Sequence, residues 1–145
     1  MVSWERKMKP FVAGLMVLTL ATASLTVPAE SDDVRCAVPR AFVSVSLRSA
    51  LPAPLQKLFE DFVMPGQDFN KTDVGIPGSG LLFVWNKYDV WIVASAHGGI
   101  ALFTTVQVFR ISTDGKTASD ITPAREPDPS APCPLATHDA ENFAN

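Results

Sequence analysis

Only two cysteines, two histidines and one tyrosine occur in this 145-residue chain, and those scarcities exclude several kinds of chemistry. Two cysteines without a Cys-x-x-Cys spacing supply neither a zinc ribbon nor a dithiol redox pair, and neither histidine stands at finger spacing from them. Positive charge is not in excess either, since the formal net charge is −3. Phosphate contacts dominate nucleic-acid affinity, so an acidic chain without a basic stripe is unsuited to nucleic acid and equally to an anionic membrane surface. No internal repeat is present. With 47% hydrophobic and 19% charged residues, the composition is that of a folded chain with room for one domain.

A long uncharged apolar run occurs once, from Phe11 to Leu20, behind the basic residues Arg6, Lys7 and Lys9. Small-residue cleavage patterns follow, ending at Ala23 and at Ala29. This order predicts a signal peptide over residues 1–29, with cleavage after Ala29 preferred and Ala23 as the alternative. An uncleaved anchor requires about 20 predominantly apolar residues, a length reached only by including Thr22, Ser24, Thr26 and Pro28. Cleavage would remove three basic residues and Glu5, leaving nine Lys/Arg against fourteen Asp/Glu, a net charge of −5. The expected setting is periplasmic or extracellular, with no stable membrane association after cleavage. In an oxidising compartment an even cysteine number favours pairing, so a Cys36–Cys133 disulfide is expected.

Residues 30–40 read as an exposed lead-in, and 41–122 as a single α+β domain. Ala41–Leu47 alternates, with Val43, Val45 and Leu47 on one face, the pattern of a half-buried strand. Behind Pro54, apolar residues recur at Leu55, Leu58, Phe59, Phe62 and Val63, the stripe of an amphipathic helix of roughly 10 residues ended by Pro65-Gly66. Residues 65–80 form a long loop. Strands are expected at Leu81–Trp85, Val90–Ala96 and Ile100–Ile111, with a brief edge strand at Thr117–Ile121. Their short separators permit only antiparallel hairpins. The strand at 100–111 is apolar on both faces, so the face away from the helix must be covered by loops, the tail or a partner. Five prolines from Pro123 to Pro134 predict an irregular tail over 123–145.

The fold class is thus α+β, one short helix on an antiparallel sheet of four to five strands in the order β-α-β-β-β-(β). That order is similar to cystatin-like folds, which wrap a sheet around a helix. The glycine-containing inhibitory loop of that family is absent, its nearest counterpart being Val106-Gln107-Val108-Phe109-Arg110. The resemblance implies topology alone.

Motifs are sparse. His97, followed by Gly98-Gly99, is the one candidate catalytic base, although the same residues serve equally as hairpin-turn chemistry. Asp68, Asn70 and Asp73 fail the calcium-loop pattern, because its sixth and twelfth positions hold Asp73 and Ser79. Gly78-Ser79-Gly80 is neither a nucleophile elbow nor a dinucleotide fingerprint, given Pro77 and Phe83. Asn70-Lys71-Thr72 is a glycosylation sequon. Trp85, Tyr88 and Trp91 flank the first hairpin, either as a recognition patch or as cross-strand pairs that hold register. No metal or cofactor is expected. These features favour a small exported, non-catalytic binding or inhibitory module for a protein or small ligand. A small periplasmic enzyme using His97 and a structural envelope component are the alternatives.

Overall fold

The computed structural model describes residues 35–72, 74–76, 78–125 and 132–144. The leader and residues 30–34 of the lead-in lie outside them. Five strands form one antiparallel sheet in the sequential order β1 to β5: β1 Val43–Ser44, β2 Ser79–Lys87, β3 Val90–His97, β4 Phe103–Ile111 and β5 Ala118–Asp120. Helix α1, Ala53–Leu58, lies between β1 and β2, and a second helix, α2, spans Pro132–Asn142. Among the described residues no helix is long and apolar enough to cross a membrane.

The sheet is covered on both faces. Against one face, Leu51, Leu55, Phe59 and Met64 pack on Val84, Trp91, Val93 and Phe109. Against the other, Phe42, Ala136 and Ala140 pack on Phe83, Trp85, Ile92 and Val108. The second cover is α2, so the doubly apolar β4 is accounted for by the tail. That corrects the expectation of an irregular tail. Pro132 and Pro134 fall in the first turn of α2, where a missing N–H leaves nothing unsatisfied. From there Ala136, Asp139 and Ala140 recur at helical spacing and are buried.

Three further boundaries differ from the sequence reading. The first strand is cut to two residues: Ala41 has a φ of 67°, and the pairing with β2 ends once the Val45 amide has donated to the Val84 carbonyl. Phe42 and Val45 are the residues that turn inward, while Val43 and Leu47 are 59% and 67% exposed. Helix α1 stops at Leu58 because the rest of its apolar stripe is recruited elsewhere. Val63 forms a parallel bridge to Gly80, donating to Ser79 O and accepting from the Leu81 amide. The Arg48 guanidinium donates to the carbonyls of Phe59 and Phe62, satisfying groups that a continuing helix would have used. Finally, β4 begins at Phe103, leaving Ile100 96% exposed and Leu102 half-exposed at the mouth of the β3–β4 hairpin.

A bulge in β2 decides which aromatic faces where. Leu81 pairs with Ser95 but Phe83 pairs with Ala94, leaving Leu82 as the extra residue. One inserted residue reverses the alternation of side chains. Leu81 therefore joins the α1-side core, whereas Phe83 and Trp85 join the α2-side core. There their rings stack, 4.5 Å between centroids.

The expected disulfide is present between Cys36 and Cys133, with Cα atoms 5.4 Å apart across 97 positions of sequence. It ties the start of the described chain to the first turn of α2. A second tie joins α2 to the sheet. Arg125 Nη1 donates to both carboxylate oxygens of Asp139, each at 2.7 Å, and Nη2 donates to the Val106 carbonyl at 2.8 Å. Asp139 is wholly buried.

The loop after α1 is seated on the β3–β4 hairpin through Gly98. Its amide donates to Gly78 O at 2.9 Å, and a Cβ built on Gly98 would fall 2.0 Å from Asn70 O. Only glycine permits that approach. Gly98→Ala is expected to displace residues 69–72 and cost about 1–3 kcal/mol. Urea denaturation gives the cost, and amide chemical shifts show whether the displacement stays in that loop.

Candidate functional site

Sheet topology leaves room for a partly polar cleft beside β4. The three residues of β5 pair only with Phe109–Ile111, so among the described residues no strand pairs with Phe103–Gln107 on the side away from β3. Beyond β5 the chain follows β4 by other means. Ile121 donates to the Val108 carbonyl, and Thr122 Oγ1 accepts from the Val108 amide at 2.9 Å. Arg125 then covers the Val106 carbonyl. Between this segment, β4 and α2 lies a cleft of about 500 Å³.

Residues 103 to 107 all line the cleft. Successive side chains of a strand point to opposite faces, so a cleft lined by five consecutive residues lies along the strand's edge. On the α1 side its polar groups are His97, Thr105, Gln107 and Asp120; Leu135 of α2 forms part of the opposite wall. Neighbouring pairs hold these groups in place. Thr105 Oγ1 and Ser95 Oγ share a 2.8 Å hydrogen bond, and Gln107 Nε2 donates to Asp120 at 3.2 Å. Burial alone would raise the Asp120 pKa. Hydrogen bonds from the Thr122 hydroxyl, the Thr122 amide and Gln107 outweigh it and hold the carboxyl below its ordinary value. Asp120 is therefore a carboxylate at neutral pH.

His97 ends β3 at the lip of this cleft. Its Nδ1 is 2.9 Å from Ser79 Oγ, and its ring meets Phe62 edge-on with centroids 5.1 Å apart. Ser79 and His97 are also directly opposed in the β2–β3 register, so their bond closes the end of the hairpin. Among the described residues no carboxylate is hydrogen-bonded to the imidazole, and Ser79 is not among the residues lining the cleft.

The aromatic trio does not converge. Trp85 is 1% and Trp91 8% exposed, and they belong to the cores on opposite faces. They hold the sheet together and offer no shared surface. Tyr88 alone is presented to solvent. In the long loop, Asn70 uses both side-chain amide hydrogens, donating to the carbonyls of Val74 and Ile76 at 2.9 and 3.0 Å. Asp73, from the calcium pattern, lies outside the described residues, among which no group of three or more His, Cys, Asp or Glu side chains is placed to hold a metal.

Sequence reasoning missed Thr104, Thr105, Gln107, Asp120 and Arg125. A signal existed for the first three: Thr104, Thr105 and Gln107 interrupt the apolar residues of β4. Arg125 gave none. No protein-family model, curated protein or solved structure matches this chain.

Proposed function

We propose that the protein is a small exported binding module, without catalysis of its own, that holds an extended and largely uncharged peptide-like ligand along the edge of β4. The observation that carries this reading is the run of five consecutive strand residues lining one cleft. Such a trough suits a ligand in extended conformation, whose alternate side chains would meet the two sides of β4 in turn. The volume falls within the range typical of ligand sites. Phe103, which lines the cleft, is half-exposed, and Ile100 and Leu102 just before it in the chain are exposed as well, apolar surface that a partner would cover. Export is supported by the disulfide and by the leader's charge pattern.

Screening the purified protein against a library of short uncharged peptides tests the proposal. Binding peptides should shift the amide resonances of His97 and residues 103–107. Phe103→Asp, which places a charge on a half-exposed side chain, should weaken them about tenfold or more, ~1.4 kcal/mol. Absence of any binder, or binders indifferent to Phe103→Asp, would overturn it.

The 2.9 Å Ser79–His97 contact favours the enzymatic reading as the second choice. Nucleophilic catalysis needs a base oriented by a third group and a nucleophile facing the substrate, and this pair is instead a cross-strand closure. An envelope component gains less support, since both faces of β4 are covered within the chain.

A further inference from the structure

Tyr88 occupies the first position of the two-residue loop joining β2 to β3, with a φ of 54°. Glycine is the ordinary resident of such a position, because a side chain there crowds its own backbone. The turn does not depend on the phenol. It is held by Asn86, whose side-chain amide donates to the carbonyls of Tyr88 and Val90 at 2.9 and 3.1 Å. Tyr88 as a whole residue is 86% exposed. A strained backbone therefore carries a large side chain that buries almost nothing, and strain of this kind collects at functional positions.

The ring borders a depression of about 360 Å³, separate from the β4 cleft. Val90 and Phe143 supply its apolar part, while Asp89, Arg110 and Asn142 supply planar polar groups. The Asp89 carboxylate and the Arg110 Nε are 3.3 Å apart, each side chain about half exposed. Lys87 Nζ lies 5.8 Å from the Tyr88 ring centroid and donates to the Ala144 carbonyl.

We infer that this depression is a second binding site, for a saccharide, with Tyr88 as its stacking platform. A pyranose presents C–H groups on its faces and hydroxyls around its rim. An aromatic face satisfies the first, as large apolar area at low entropy cost. The rim needs donors and acceptors lying side by side, which a carboxylate, a guanidinium and a carboxamide provide together. Lys87 and Arg110 against Asp89 leave one positive charge in excess, so a sugar acid should bind better than its neutral counterpart.

The test sets stability against binding. Glycan-array screening of the purified protein should retain saccharides, with uronic-acid-containing ones strongest. Tyr88→Gly should abolish retention while raising the melting temperature by about 2–4 °C, the shift expected from relieving a strained turn. Arg110→Gln should narrow the preference for acidic over neutral sugars. The inference is overturned if no glycan is retained, if Tyr88→Gly binds as well as the parent, or if that variant melts lower. The last result would mean that the phenol serves the fold. A peptide or protein held at Tyr88 in place of sugar would also refute it.

Discussion

Asp139→Ala is expected to lower the unfolding free energy by about 3–5 kcal/mol, among the largest losses available to any single substitution in this chain. The carboxylate is wholly buried and receives two 2.7 Å hydrogen bonds from Arg125, whose own side chain is 20% exposed. Removing it strands a largely desolvated guanidinium that also serves the Val106 carbonyl. Small domains have margins of about 5–15 kcal/mol, so the loss is a large share of the whole. Arg125→Met combined with Asp139→Leu should recover most of it, because a buried ion pair often does no better than well-packed apolar groups. Urea denaturation of the three proteins checks both claims. A cost below about 1 kcal/mol for Asp139→Ala would mean that Arg125 reaches water freely.

Breaking the Cys36–Cys133 bond is the second large effect. The bridge closes nearly the whole domain into one loop, and chain-entropy reasoning assigns such a loop about 4–5 kcal/mol, although measured losses spread over about 2–5. Cys36→Ser with Cys133→Ser should show a loss in that range. The damage should concentrate on α2, since Cys133 sits in its first turn and Asp139 is its other tie. The two ties act on one element, so their losses should not add. Hydrogen exchange in the double-serine variant should therefore rise first along 132–142, while β2 and β3 stay protected. Uniform exchange across sheet and helix would contradict this picture of α2.

What sequence could reveal follows from which interactions are local. Strands β2 to β5 apart from the start of β4, the hairpins between them, the existence of α1 and the pairing of the cysteines all rest on short-range pattern or on counting. Three features do not. The bulge at Leu82 lies inside an apolar run, Leu81–Trp85, where alternation carries no information, so the burial of Trp85 and Trp91 on opposite faces was not legible. Helix α1 shows the ordinary stripe, but Val63 is drawn to Gly80 by a tertiary contact that competes with helix formation. In α2, clustered prolines suggest disruption by composition, yet their positions in the first turn make them harmless. Reading Pro132 and Pro134 as a helix start needs the Ala136–Asp139–Ala140 spacing to be weighed beside them.

The candidate site was less legible than the fold. His97 was singled out and does stand at the cleft, but its neighbours come from β4, from the strand after its hairpin and from the tail. A stretch of β4 that the three-residue β5 does not pair is a property of pairing, which no single segment encodes. Arg125 is even less visible, since its partners Val106 and Asp139 lie 19 and 14 positions away.

Amide hydrogen exchange of the purified protein, with and without the strongest peptide from the screen, probes the proposed role most directly. Added peptide should slow exchange at residues 103–107 and leave the Lys87–Val90 hairpin unchanged. Protection at that hairpin, or none along β4 at saturating peptide, would contradict a ligand site at the sheet's edge.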